Sequence, residues 1–154
     1  GMKVLEFAFD SRDDGDYRPH SYPKNCIAYV GTHDNEPVNG WMETAAPEDV
    51  ARAVRYLNLT KKEGYHWGMM RGIWSSAADL AVVQAQDLLG LGHESRMNTP
   101  STLGGNWCWR ADPVPLTRGW PKSCTVKWNC TGVAGMKTAF VLWCRLVLRA
   151  GSAA

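Results

Sequence analysis

The chain lacks any long apolar run. A membrane-spanning helix needs about 20 consecutive apolar residues, and the longest candidate, 139–148, is shorter and contains Arg145. The first residues show no signal-peptide pattern either, because Glu6 and Asp10 interrupt them. With 45% hydrophobic and 21% charged residues, the composition is typical of a globular protein. We therefore predict a cytoplasmic location and no membrane partner.

Cysteines are few, and their spacing fits neither a disulfide framework nor a zinc site. The five cysteines of a cytosolic chain are expected to be free thiols. Cys124 and Cys130 have no histidine nearby and no C-x-x-C pair accompanies them. The sequence therefore predicts no metal centre.

Acidic residues are missing from the last part of the chain. Residues 1–112 hold 11 basic and 15 acidic residues, a balance of −4, whereas residues 113–154 hold 6 basic residues and no acidic ones. Such a break is typical of a domain boundary, so we divide the chain there. The interpretation that we favour for 113–154 is out-of-frame or non-native sequence, and the alternatives are a disordered or loosely docked tail and a binding module. Its lysines are too dispersed for a nucleic-acid patch, and no nucleic-acid partner is predicted.

The periodicities that are present indicate an α/β fold. Apolar runs rich in strand formers predict strands at 2–9, 25–31 and 80–87. A helix is expected to begin near Pro47, which suits a first helical position, and a second helix is expected over about 64–78. Residues 92–110, rich in glycine and asparagine, predict a long loop.

Apolar residues at helical spacing predict which faces of the two helices are buried. Val50, Val54 and Leu57 fall on one face of the first helix. The second helix is expected to bury three large side chains, those of Trp67, Met70 and Trp74.

A His33-Asp34 pair follows the second predicted strand, within the run GTHDNE at 31–36. The C-terminal end of a buried strand is where barrel enzymes carry their chemistry, and rigid backbone there can fix a carboxylate. The alternative is an Asx-type turn in which Asp34 and Asn35 only cap the strand exit. Composition alone favours the turn.

Motifs spread along the chain favour the catalytic interpretation. They occur in order at 2–9 (MKVLEFAF), 19–23 (PHSYP), 31–35 (GTHDN), 40–41 (GW), 88–92 (LLGLG), 96–100 (RMNTP), 105–107 (GNW) and 109–110 (WR). Together they resemble the amylomaltase or disproportionating-enzyme family, the 4-alpha-glucanotransferases of the alpha-amylase-like superfamily. The resemblance implies a (β/α)8 barrel, retaining transglycosylation on α-1,4-glucans or maltooligosaccharides, and no metal or organic cofactor.

The resemblance also assigns site residues. It implies that Asp34 is the transition-state stabiliser and that His33 donates a hydrogen bond to the same sugar. It further implies substrate-binding positions at Asn35, Asn98 and Pro100.

Four further residues near the predicted site have either a role in binding substrate or a structural role. Gln86 and Asp87, which end the last predicted strand, either face the pocket or cap the strand. Trp107 and Trp109 either stack on sugar rings or, as we favour, are buried and pack the loop onto the barrel.

Length limits what this chain is expected to do alone. A whole barrel of this type needs roughly 250 residues, and the chain has 154. We expect residues 1–112 to be the C-terminal part of a glucanotransferase barrel, about its last three strands, with the nucleophile Asp and acid/base Glu upstream of Gly1. The predicted function is 4-alpha-glucanotransferase, with an isolated chain that is inactive. The alternatives are a non-catalytic remnant or carbohydrate-binding piece without turnover, and hydrolysis by an alpha-amylase-type relative.

Overall fold

The computed structural model of the chain describes residues 1–12 and 16–111. The predicted tail, residues 113–154, lies outside the described residues. The elements in chain order are β1 (Met2–Val4), β2 (Ile27–Tyr29), α1 (Val38–Thr44), α2 (Pro47–Leu57), α3 (Tyr65–Trp74), β3 (Leu80–Val82) and α4 (Ala85–Leu89).

The three strands form one parallel sheet in the order β1-β2-β3. Ala28, in the middle of β2, is paired with Lys3 on one side and with Ala81 on the other. Parallel strands need crossover connections, and α1 to α3 lie between β2 and β3 in the chain. The prediction of an α/β fold is confirmed, and because the strands are parallel their C-terminal ends lie at one edge of the sheet.

All three strands are much shorter than the apolar runs that predicted them, and the run 25–31 is a strand only over Ile27–Tyr29. The run 2–9 is a strand only as far as Val4, and Leu5–Phe9 forms a 3-10 helix. This turn lets both Leu5 and Phe9, which are four residues apart, enter the core. An apolar run carries no periodicity that separates these two conformations.

The run 80–87 was also predicted as one strand, and this is wrong for its second half. After β3 the chain turns at Gln84 into the short helix α4, which ends at Gly90 with a φ of 67°. Gln86 and Asp87 therefore lie on a buried helix and do not end a strand.

The two predicted helices are confirmed, and α1 is an element that the sequence did not indicate. Helix α2 begins at Pro47, and α3 buries Trp67, Met70 and Trp74 as expected. The first turn of α1 is held by another part of the chain, because the backbone N–H of Val38 donates to Asp87 Oδ1 at 2.8 Å. A helix whose cap lies 49 positions away leaves no local signal.

The core lies between the sheet and the helices, and it includes Phe9, Val30, Met69 and Ile73. Helix α3 packs closely on Leu57: a Cβ at Gly72 would lie 2.8 Å from a methyl carbon of that side chain. Among the described residues, no helix has the length and apolar character needed to cross a membrane.

Candidate active site

Two loops meet at the C-terminal edge of the sheet and carry the predicted site residues. The loop after β2 carries His33 and Asp34, and the loop after α4 carries Asn98. The backbone N–H of Asn98 donates to the carbonyl oxygen of His33 at 3.2 Å. The structure therefore brings together three of the predicted residues across 64 positions of sequence.

The Asp34 carboxylate is held on one of its two oxygens. Asn98 Nδ2 donates to Asp34 Oδ1 at 2.6 Å, and His33 Nε2 lies 3.2 Å from the same oxygen. The Asp34 side chain is 46% exposed, and Oδ2 has no partner among the described residues. The carboxylate is thus fixed in orientation and keeps one oxygen available for a ligand hydroxyl.

Asn35 uses its side chain within the protein. Its Oδ1 accepts hydrogen bonds from the backbone N–H and the hydroxyl of Thr32, at 2.9 and 2.8 Å, and its side chain slightly opposes the rise in the pKa of the buried Glu6. Gln84, the residue before α4, donates to the carbonyl oxygen of Thr32 at 3.0 Å. The backbone N–H of Asn35 also donates to the carbonyl oxygen of Thr32 at 3.1 Å, so residues 32–35 form a tight turn. The Asn35 side chain reaches back to Thr32, not forward as in an Asx turn, and this turn and the site lie in one loop. A role for Asn35 in binding substrate stays a prediction.

Trp107 lies against the site and is not buried as we favoured. Its ring centroid is 5.0 Å from that of His33, with an angle of 40° between the rings, and the side chain is 50% exposed. Its backbone adopts a φ of 62°, and its N–H donates to the carbonyl oxygen of Met97 at 2.7 Å. Trp109 is half-buried. An aromatic face is therefore held beside the His-Asp pair.

Pro100 is exposed in the same loop. Its neighbour Thr99 is held by Asn106, whose Oδ1 accepts from the Thr99 backbone N–H at 2.9 Å. No hydrogen bond joins Pro100 to the other candidate residues in the described part of the chain, and its role in binding substrate stays a prediction.

Sequence reasoning missed an ion-pair network under the loop. Arg96 pairs with Glu36, whose carboxylate also lies 3.0 Å from His93 Nδ1. Arg96 donates in addition to the backbone carbonyl oxygens of Asp34, at 2.6 Å, and Asn98, at 2.9 Å. The only available signal was Arg96 within the RMNTP motif, and its partners cannot be identified from spacing.

Two buried carboxyl groups lie beneath the site. Burial raises the pKa of Glu6 well above its usual range, and the nearby carboxylates of Asp87 and Glu36 raise it further, against the opposing effect of Arg96. Burial likewise raises the pKa of Asp87 from 3.8 to about 7, although the hydrogen bond from Val38 lowers it. One oxygen of each group has no hydrogen-bond partner among the described residues, which is consistent with retention of a proton.

Gln86 has a structural contact and does not face the site. Its side-chain amide is buried and donates to the carbonyl oxygen of Ser95 at 3.2 Å. Within residues 1–12 and 16–111, no cluster of three histidine, cysteine or carboxylate side chains is arranged to hold a metal ion.

Comparison with known proteins gives one consistent result. Residues 1–116 match the glycoside hydrolase family 77 model, described as 4-alpha-glucanotransferase. A 4-alpha-glucanotransferase from Clostridium butyricum is 53% identical over 112 residues, which are 72% of this chain and 23% of that enzyme. The Thermus thermophilus 4-alpha-glucanotransferase is 43% identical over 124 residues, 76% of this chain and 25% of that enzyme.

A solved structure shows the same fold. It is that of an amylomaltase from Streptococcus agalactiae in complex with acarbose, and it matches with a TM-score of 0.72 and 37% sequence identity. The match covers 84% of this chain and 27% of the amylomaltase chain. The chain thus spans about a quarter of the length of the relatives that it matches. Because the family model matches most of the chain, the protein belongs to the 4-alpha-glucanotransferases of glycoside hydrolase family 77.

Proposed function

We propose that this chain is the part of a 4-alpha-glucanotransferase that provides Asp34 as the transition-state stabiliser. The enzyme would transfer segments of an α-1,4-glucan to glucose or to a maltooligosaccharide. The observation that carries the proposal is the Asp34 carboxylate, whose Oδ1 accepts a hydrogen bond from Asn98 and lies 3.2 Å from His33 Nε2, while Oδ2 has no partner among the described residues. Such a group can bind sugar hydroxyls more strongly as the ring distorts.

The reaction proposed is a retaining double displacement. A carboxylate attacks the anomeric carbon while a carboxylic acid protonates the departing oxygen. The deprotonated acid then takes the proton of an acceptor hydroxyl, which attacks the same carbon and displaces the enzyme carboxylate, so that the glycosyl group is transferred to the acceptor. Both steps pass through an oxocarbenium-like transition state, whose positive charge the Asp34 carboxylate would stabilise. No metal or organic cofactor is needed for this chemistry.

We assign the nucleophile and the acid/base to other parts of the enzyme. Glu36, the nearest carboxylate in sequence, is engaged in ion pairs with Arg96 and His93. Glu6 and Asp87 are fully buried. None of these three is suited to attack a sugar, and the proposal promotes none of them.

The sugar contacts proposed follow the loop geometry. His33 and Asn98 flank Asp34 and have polar groups at the same exposed position. Asn35 would shape the loop and, with Pro100, approach the substrate. The parent fold proposed is a (β/α)8 barrel in which β1, β2 and β3 are adjacent strands, in agreement with their parallel order.

The cytoplasm is the compartment proposed. Cys26 and Cys108 are free thiols, as a reducing environment favours. The partners are glucans only, and neither nucleic acid nor membrane has a part in the proposal.

The test is a chimera in which this full chain replaces the aligned segment of the Clostridium butyricum enzyme. With maltotriose as the only substrate, we expect the chimera to produce both glucose and longer oligomers, and the chain alone to produce neither. Added glucose should shift the distribution of oligomers, because glucose is an acceptor. A correctly folded chimera without turnover would favour a non-catalytic remnant, and products limited to glucose and maltose, unaffected by added glucose, would favour hydrolysis.

A further inference from the structure

Arg96 joins the two loops of the site, in addition to the hydrogen bonds that Asn98 makes to His33 and Asp34. Its three guanidinium nitrogens each have a different partner. Nη2 donates to the backbone carbonyl oxygen of Asp34 at 2.6 Å, and Nε donates to that of Asn98 at 2.9 Å. Nη1 donates to the Glu36 carboxylate.

The arrangement is built so that the guanidinium cannot easily move. The Arg96 side chain is only 20% exposed and that of Glu36 only 12%. Glu36 is held from its other side by His93, whose Nδ1 lies 3.0 Å from both carboxylate oxygens. A planar guanidinium fixes the directions of all its donors at once, which the single ammonium group of a lysine cannot do.

The contacts converge on the atoms that the proposed reaction uses. The backbone carbonyl oxygens of Asp34 and Asn98 both accept hydrogen bonds from Arg96. Their side chains are hydrogen-bonded to each other, since Asn98 Nδ2 donates to Asp34 Oδ1 at 2.6 Å. A shift of either backbone therefore changes the orientation of the carboxylate and the direction of Oδ2, which has no partner among the described residues.

We propose that Arg96, anchored by Glu36, is a positioning residue for Asp34 and Asn98 that sets the orientation of the stabilising carboxylate in the transition state. This inference rests on the proposed function for its catalytic consequence. The geometric part, that Arg96 keeps the Asp34–Asn98 hydrogen bond short, stands independently of activity.

The first arm of the test is kinetic. In the chimera, Arg96→Lys should lower kcat by about 100-fold, as expected for a misplaced catalytic group, and change KM little. The matched control is Arg71→Lys, since Arg71 also pairs with a carboxylate, that of Glu63, and donates to the carbonyl oxygen of Leu57. The control should lower stability without lowering kcat. Equal losses of kcat in the two variants would overturn the proposal.

A double variant separates positioning from general damage. If Arg96 acts through Asp34, Arg96→Lys should lower kcat by much less than 100-fold in a chimera that already carries Asp34→Asn. Losses that multiply would mean that Arg96 acts independently of Asp34, and would overturn the proposal.

The second arm needs no turnover. In a crystal structure of the Arg96→Lys chimera, we expect the distance from Asn98 Nδ2 to the Asp34 carboxylate to exceed hydrogen-bonding range, while the turn at Thr32 and Asn35 is retained. An unchanged distance would overturn the positioning role even if the chimera is inactive. Failure of the unsubstituted chimera to transfer glucan would count against the proposed function alone.

Discussion

At the scale of single residues, the site depends on how a few polar atoms are shared. Asp34 Oδ1 has two partners, and the partner with the shorter contact is the Asn98 side chain. This amide both orients the carboxylate and presents a polar group at the exposed position. Removal of the amide should therefore loosen the orientation of the Asp34 carboxylate without removing the charge of that carboxylate.

We accordingly expect Asn98→Ala in the chimera to lower kcat by about 10- to 100-fold, a smaller loss than that of Asp34→Asn, because the carboxylate remains. Steady-state kinetics with maltotriose measures this. Thr102→Ala is the control from the same loop, since Thr102 is exposed and donates to the carbonyl oxygen of Thr99. A loss with Thr102→Ala equal to that with Asn98→Ala would show that the loop, and not the amide, matters.

The buried carboxyl group of Asp87 predicts a pH dependence of stability. Its pKa is raised from 3.8 to about 7 in the folded state, so the folded state binds the proton more tightly than the unfolded state does. The stability contributed by protonated Asp87 is complete below about pH 4 and is lost as the pH rises to about 7, with a slope of at most about 1.4 kcal/mol per pH unit. Glu6, whose pKa is raised too, adds a slope of the same sign.

Asp87→Asn should remove the contribution of Asp87 and keep an oxygen for the Val38 N–H. We expect the melting temperature of this variant of the chimera to exceed that of the parent at pH 8 and to approach it at pH 5. Glu6→Gln is the companion variant and should act in the same direction. A difference in melting temperature between variant and parent that does not change with pH would contradict the raised pKa of Asp87.

At the scale of elements, α1 lies very close to the 3-10 turn His93–Ser95, and Gly40 makes this possible. A Cβ at Gly40 would lie 3.0 Å from the backbone nitrogen of His93 and 2.9 Å from Glu36 Oε2. Backbone cannot move aside as a flexible side chain can. The approach places the Glu36–His93 pair next to Arg96.

Gly40→Ala should therefore lower the melting temperature of the chimera by several degrees. The direction of the change in melting temperature is informative, because in an unhindered helix Gly→Ala stabilises the fold by about 1 kcal/mol. Glu43→Ala, at an exposed position of the same helix, should have little effect. A higher melting temperature for Gly40→Ala would show that α1 and the turn are less tightly packed than described.

The elements also show what sequence patterns can and cannot predict. Helix α2 could be predicted because its proline start and apolar spacing are local signals. Helix α4 and the turn Leu5–Phe9 lie in apolar runs that fit several conformations, and tertiary contacts decide among these. The resemblance assigned Asp34 and Asn98 to one site, but neither their hydrogen bond nor the partners of Arg96 were indicated, because these contacts join loops that are distant in sequence.

At the scale of the whole molecule, the described sheet has three strands and two outer edges. Strands β1 and β3 each pair on one side only within the described residues. Unpaired edges favour association with other chains, and a small sheet buries little apolar surface per residue.

We therefore expect the chain alone to melt broadly or to aggregate, whereas the chimera should unfold with a sharp transition, because the remaining strands cover these edges. Differential scanning calorimetry together with sedimentation measures both properties. A sharp two-state transition of a monomeric isolated chain would show that residues 1–154 are sufficient for a stable fold.

The central claim is that the Asp34 carboxylate stabilises the transition state, and the most direct test compares two identical substitutions at opposite ends of the sheet. In the chimera, Asp34→Asn should lower kcat by about 1,000-fold and change KM far less, because the charge is needed mainly in the transition state. Asp79→Asn removes an exposed carboxylate just before β3 and should leave both constants unchanged. A kcat of Asp34→Asn equal to that of the parent chimera would contradict the account.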